Sequence, residues 1–311
     1  MIINLLLIVL GFILLIKGAD FLVDGAGNIA KKLGIPAIVI GLTIVSIGTS
    51  MPELFVSITS ALEGYPDMSI GNVVGSNIAN LLLILGLTAV VRPIPFKKAT
   101  IKYEIPICLG VTILLFALAN TGNTITRLEA TILLVTFVMF IIYTILLAKK
   151  SKGSNKKEKS KTTAITDIVF IILGIIGLKF GGDLTVDNAV EFATILGLSE
   201  KIISVTILAV GTSLPELVTS VSAAKKGETD LAIGNIIGSN IFNFLLIVGV
   251  SAAIKPISYN VSYNRDMAVA FASVVLLLIF SYTKPKRKMS RGNGVIYFLG
   301  YLLYLLILFM L

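Results

Sequence analysis

The hexapeptide Gly48-Thr49-Ser50-Met51-Pro52-Glu53 returns 163 residues later as Gly211-Thr212-Ser213-Leu214-Pro215-Glu216. The same offset carries Gly71-Asn72-x-x-Gly75-Ser76-Asn77-Ile78-x-Asn80 onto Gly234-Asn235-x-x-Gly238-Ser239-Asn240-Ile241-x-Asn243. It also carries Asp20 onto Asp183, Asp24 onto Asp187 and Pro93 onto Pro256, with no gap from Gly11 to Pro93. The chain is therefore two copies of one unit, and its fold must be one that two like halves build together. Each copy holds one glutamate inside a long apolar stretch. A carboxylate inside a bilayer costs several kcal/mol, so such a residue marks a functional site by default. Two of them at matched positions point to one site shared between the halves.

The stretches around these glutamates belong to a set of ten apolar segments, at about 2–24, 36–62, 69–91, 103–120, 128–148, 165–186, 202–224, 231–254, 267–283 and 293–311. A spanning helix needs roughly 20 such residues and tolerates about 17. With 56% hydrophobic and 14% charged residues, the expected fold class is an all-α integral membrane protein with ten transmembrane helices. The N-terminal stretch lacks a basic leader region and a small-residue cleavage site, and is read as the first of these helices. The charged run Lys149–Lys161 separates helices 1–5 from helices 6–10. The expected organisation is an N-terminal repeat at 1–148, a flexible linker at 149–164 and a C-terminal repeat at 165–311. Five helices per copy is an odd number, so the second copy enters the membrane from the opposite side. The repeats are inverted, as in many secondary transporters.

The net charge of +9 follows this topology. Alternate loops hold Lys31, Lys32; Arg92, Lys97, Lys98, Lys102; the seven linker lysines; Lys225, Lys226; and Lys284, Lys286, Arg287, Lys288, Arg291. These are twenty of the 26 basic residues. Arg127, Lys201, Lys255 and Arg265 fall on the other side. By the positive-inside rule the linker is cytoplasmic and both termini are outside, in a multi-pass protein of the cell membrane. The basic charge thus points to a lipid membrane as partner, not nucleic acid, and no obligate protein partner is evident.

Histidine and tryptophan are absent and Cys108 is the single cysteine. Imidazole metal sites, Ser-His-Asp triads and intrachain disulfides are excluded, and the sequence carries no cofactor signature. What remains is oxygen chemistry. Pro52 removes a backbone hydrogen bond and clashes with the carbonyl of Gly48, so the second segment is expected to break there and release carbonyls. Thr49, Ser50 and Glu53 add hydroxyl and carboxylate oxygens, and Thr212, Ser213 and Glu216 repeat them. Asn72, Ser76 and Asn80, spaced i, i+4, i+8, share one helix face, as do Asn235, Ser239 and Asn243, and each stripe is expected to offer oxygens to the facing broken helix. Hard oxygens with no nitrogen or sulfur ligand suit Na+ and Ca2+. Polar stripes also glue helices together, so the serines and asparagines stand between two roles, whereas the paired glutamates do not. Asp20, Asp24, Asp183 and Asp187 fall near the ends of their segments and are read as capping or interfacial.

These motif pairs resemble the alpha-repeats of the calcium/cation antiporter superfamily, whose best-known members are the sodium/calcium exchangers. The resemblance implies ten helices in two inverted five-helix repeats around an ion site lined by helices 2, 3, 7 and 8. It implies Glu53 and Glu216 bridging Ca2+ and sharing Na+, and backbone carbonyls from Thr49 and Thr212. Ser50, Ser76, Ser213 and Ser239 would give hydroxyls to Na+ sites, and Asn80 and Asn243 would line the centre. Helices 1 and 6 would be the sliding part. Some relatives, potassium-dependent ones among them, carry aspartate at the position of Asn243. The asparagine here leaves two formal charges in the core, which argues against K+ co-transport. The function expected is exchange of Na+ for Ca2+ by alternating access. The nearest alternative is a H+/Ca2+ antiporter. A cation channel and an intramembrane hydrolase using Ser50 or Ser213 are the alternatives from other classes, and the ion dependence of the flux separates the transport readings.

Overall fold

The computed structural model of the protein describes residues 2–151, 162–197, 209–283 and 287–310. Its helices are α1 (Ile2–Leu33), α2 (Ala37–Thr49), α3 (Met51–Glu63), α4 (Met68–Val91), α5 (Thr100–Asn120), α6 (Arg127–Ser151), α7 (Ala164–Ile195), α8 (Leu214–Lys226), α9 (Thr229–Ile254), α10 (Asn264–Tyr282) and α11 (Arg291–Met310). Among the described residues eight helices are long and apolar enough to cross a membrane, or nine if α2 and α3, bent by 49° at their junction, form one span. The expected segment 202–224 falls partly on residues 198–208, which lie outside the described residues, as do linker residues 152–161. Its described part is one turn at Ala209–Gly211 followed by α8.

Burial sorts these helices into a centre and a shell. The most apolar stretches of α4 and α9 are each 83% buried, against 17% to 39% for the other six spans. A lipid-facing helix is apolar outward, whereas α4 and α9 carry the repeated Gly/Asn/Ser stripes and must bury them. Both contain a stretch of wider π-helical turn, at Ala79–Leu85 in α4 and Asn243–Ile247 in α9. Such turns shift side chains out of α register and concentrate at functional sites.

Across this centre lie α1 and α7, packed antiparallel with backbones in contact. A Cβ on Gly18 would fall 2.7 Å from the Leu178 nitrogen, and one on Gly181 would fall 2.7 Å from the Leu15 nitrogen. Gly11 meets Thr185 and Gly25 meets Asp167 in the same way. Small residues at seven-residue spacing let two helices approach this closely in a bilayer.

Both helices are longer than the apolar segments suggested. Each has 32 residues, about 48 Å at 1.5 Å per residue, against a hydrocarbon core of about 30 Å. α1 stops only where Gly34 takes φ 65° and the Ile35 N–H returns to the Ala30 carbonyl, a glycine-terminated cap. The capping part of the expectation for the repeated aspartates is corrected accordingly, since all four lie inside their helices. Asp20 accepts from Ser222 Oγ at 2.8 Å and pairs with Lys226 at 3.1 Å, and Asp24 pairs with Lys226 at 2.7 Å. Together they join α1 to α8. Asp183 pairs with Lys179 one turn away in α7, at 2.6 Å. The residue that the 163-residue offset matches to Lys226 is Glu63.

Four short strands clip the loops. Ile94–Pro95 (β1) pairs with Lys288–Met289 (β4), and Thr124–Ile125 (β2) pairs with Ile257–Ser258 (β3), both antiparallel. Side chains add to this: Lys97 meets Asp230 at 2.5 Å, Lys31 meets Glu228 at 2.8 Å, Lys32 meets Asp167, and Asn120 donates to Asn264 at 3.0 Å. In the expected ten-segment order, both strand pairs and the Lys97–Asp230 and Lys31–Glu228 contacts join an odd loop to an odd loop or an even loop to an even loop, while Asp167 and Asn120 lie at segment ends.

Candidate functional site

The site forms where two helices start. α2 ends at Thr49, Ser50 leaves helical geometry with ψ 11°, and α3 begins with Pro52 in its first turn. Proline is tolerated there because its missing N–H has no intrahelical partner to lose. The second copy repeats this at Ser213, with ψ 5° and Pro215 opening α8. Each break therefore sets a glutamate, Glu53 or Glu216, in the first turn of a helix. The positive end of the helix dipole favours an anion at that position.

The two glutamates are buried and tied to each other's half. Ser50 Oγ donates to Glu216 Oε1 at 2.7 Å, and Ser213 Oγ donates to Glu53 Oε1 at 3.4 Å. Ser76 donates to Glu53 Oε1 and Ser239 to Glu216 Oε1, each at 3.5 Å. All four serines singled out from the sequence thus meet one of the two carboxylates. Thr49 is fully buried, and its hydroxyl is engaged with Asn235 Oδ1 at 3.1 Å. Thr212 lies in the second break beside Ser213 and is half-buried.

Among the site residues expected from the sequence, four oxygens remain. Glu53 Oε2, Glu216 Oε2, Asn80 Oδ1 and Asn243 Oδ1 are buried and accept no hydrogen bond from any described residue. They form two pairs related by the 163-residue offset. Leaving a buried acceptor unsatisfied costs about 1–3 kcal/mol, more if it is charged. Two carboxylates in a low-dielectric interior also repel each other strongly. A cation bound to these oxygens relieves both penalties, and the donor set of carboxylate, amide and hydroxyl oxygens is that of a hard cation.

The stripes on α4 and α9 do not act uniformly, which corrects the expectation that they present oxygens throughout. Asn72 turns its amide nitrogen to the broken helix, donating to the Glu53 carbonyl at 3.2 Å and to Ser57 Oγ at 3.0 Å. Asn235 donates to Ser220 Oγ at 3.0 Å. These two asparagines tie α4 and α9 to the broken helices. Only Ser76, Ser239, Asn80 and Asn243 present oxygen to the glutamates or leave it unpartnered.

Sequence reasoning left Asn77 and Asn240 without a role. Asn243 Nδ2 donates to Asn77 Oδ1 at 2.9 Å, Asn80 Nδ2 donates to Asn240 Oδ1 at 3.2 Å, and Asn77 Nδ2 donates to the Asn240 backbone carbonyl at 3.0 Å. The available signal was their place in both motif copies, three residues before Asn80 and Asn243. Ser57 and Ser220, partners of the bracing asparagines, were also passed over, although the offset relates them too.

Comparison with known proteins gives the same picture. The chain is 38% identical over 270 residues to the putative antiporter CaxA of Alkalimonas amylolytica, covering 84% of each chain. It is 34% identical over 301 residues to the sodium/calcium exchanger MaX1 of Methanosarcina acetivorans, covering 84% of this chain and 85% of that one. It superposes on the solved structure of the sodium-calcium exchanger NCX_Mj soaked with 2.5 mM Na+ and 0.1 mM Ca2+, with a TM-score of 0.85 and 32% identity over 97% of each chain. The model of the sodium/calcium exchanger protein family matches residues 3–146 and 166–310, one span on each side of the linker. The chain belongs to the sodium/calcium exchanger family.

Proposed function

We propose that this protein is a secondary-active antiporter that exchanges Na+ for Ca2+ by alternating access at the site between Glu53 and Glu216. The observation that carries this is the set of four buried acceptor oxygens, two from glutamates and two from asparagines, that no described residue hydrogen-bonds. One Ca2+ neutralises both glutamates. Na+ ions do the same when more than one binds, drawing on Ser50, Ser76, Ser213, Ser239 and the carbonyls freed at Thr49 and Thr212. The empty site leaves two like charges in low dielectric, which disfavours movement of the unloaded carrier. Loaded states move and empty ones do not, so the two fluxes are coupled. The names of the relatives, exchanger and antiporter, support the same class.

The architecture we propose is ten helices in two inverted repeats, residues 1–148 and 165–311, joined by a cytoplasmic linker at 149–164, in the cell membrane. Support comes from the two strand pairs and the Lys97–Asp230 and Lys31–Glu228 contacts, each of which joins described loops of like parity, as strict alternation across a membrane requires. The pairing of α1 with α7 makes these two helices one body lying across the site, fit to slide over it.

The test is Ca2+ uptake into proteoliposomes. An imposed Na+ gradient should drive uptake and a pH gradient should not, while Glu53→Gln and Glu216→Gln should each abolish it without lowering the melting temperature in detergent. Uptake driven only by the pH gradient would assign H+ as the counter-ion, and uptake needing neither gradient would mark a channel. Near-wild-type exchange by either glutamine variant would remove the central site itself.

A further inference from the structure

An asparagine is an ambiguous cation ligand. Its carbonyl end attracts a cation and its amide end repels one, yet the two ends have nearly the same shape. If Asn80 and Asn243 face a cation, something must hold their carbonyls toward it. The candidates lie three residues earlier on the same helices. Asn77 and Asn240 are buried, and the contacts cross between the halves: Asn243 on α9 donates to Asn77 on α4, and Asn80 on α4 donates to Asn240 on α9.

One of the two chains is determined from end to end. Asn77 Nδ2 donates to the Asn240 backbone carbonyl at 3.0 Å. A backbone carbonyl only accepts, so Asn77 must spend its amide there and turn Oδ1 toward Asn243. Asn243 must then donate its own amide, at 2.9 Å, and its Oδ1 faces the other way, where no described residue donates to it. The other chain lacks this anchor. The Asn240 Nδ2 has no hydrogen-bond partner among the described residues, so nothing beyond Asn80 fixes which way Asn240 faces.

We infer that Asn77 is a positioning residue for the transported cation, holding the Asn243 amide so that its oxygen and not its nitrogen lines the site. This inference rests on the proposed cation site and names what fixes one of its ligands. It also predicts an asymmetry that the sequence repeat hides, since Asn77 has the backbone anchor and Asn240 does not.

The experiment is a mutant cycle read as KM for Ca2+ in proteoliposomes. Asn77→Leu keeps the volume and removes the acceptor, and should raise KM about tenfold, the usual loss when the partner of a metal ligand is removed, with the maximal rate little changed. In an Asn243→Asp background the same Asn77→Leu change should leave KM where Asn243→Asp alone puts it, because a carboxylate presents oxygen whichever way it turns. Asn240→Leu should raise KM less than Asn77→Leu. The inference is overturned if Asn77→Leu leaves KM unchanged, if it raises KM equally in the Asp background, or if Asn240→Leu has the larger effect. If Asn77→Leu does not yield a monodisperse carrier, Asn77→Ala is put through the same cycle and judged by the same outcomes. Glu53→Gln runs alongside: an active Glu53→Gln points to failure of the site, whereas an inactive Glu53→Gln beside an unaffected Asn77→Leu points to failure of the positioning role alone.

Discussion

Glu53 and Glu216 are each held by one serine from the other half and one from their own, and asparagines such as Asn80 and Asn243 differ from carboxylates by one atom. That difference sets the charge of the core. Asn243→Asp would raise it from two formal negative charges to three, in a core whose glutamates are already short of donors. An added cation, or a proton, then becomes the cheapest way to restore balance. Wild-type exchange should be insensitive to K+ at clamped voltage, and Asn243→Asp should acquire dependence on K+ or pH. Strong K+ dependence in the wild type would sink the charge-count reasoning. The glutamates, serines and outer asparagines were legible in the sequence because the repeat marks them and their chemistry is distinctive. The bracing of Asn72 and the locking of Asn77 were not. Both depend on which end of an amide meets which neighbour, and that is decided only when α4 and α9 come together.

At Gly18 the α1–α7 seam sets a glycine against backbone alone, with no flexible side chain to give way. Gly18→Val should therefore force the helices apart and cost about 1–3 kcal/mol, the usual range for overpacking. Gly110 in α5 is the matched control, since nothing lies within 4 Å of a Cβ built there. Gly110→Ala should be neutral or slightly stabilising, as helix propensity favours alanine. Thermal unfolding in detergent checks both, and equal melting temperatures for the two variants would mean that the seam is not tight. At this scale the sequence was a partial guide. The break at Pro52 and the positions of α4, α9 and the outer helices were visible as proline and apolar runs. The true length of α1 was hidden because hydropathy falls at Asp24 while the helix continues to the cap at Gly34. The two-residue strands were invisible, since no periodicity can show in two residues.

For the molecule as a whole, lysine and arginine placement predicts sidedness. In a Cys108→Ala background, Lys98→Cys should resist an impermeant thiol reagent applied outside intact cells, and Asn260→Cys should be labelled. The reverse pattern would invert the orientation and leave the alternation intact. Inverted repeats also imply that the second state of the carrier is reached when the halves exchange conformations. The grip of Lys226 on Asp20 and Asp24 would then pass to Glu63, facing Asp183 and Asp187. A clasp on one side becomes three carboxylates on the other, with Lys179 on Asp183 to offset them. Exposed ion pairs are worth up to about 1 kcal/mol, so among loaded carriers, which do interconvert, the clasped state is favoured by up to about fivefold, and added salt should level that preference. The duplicated chain is in this respect a biased balance: the same two halves, swapped in role, hold the loaded carrier longer on one face of the membrane than on the other.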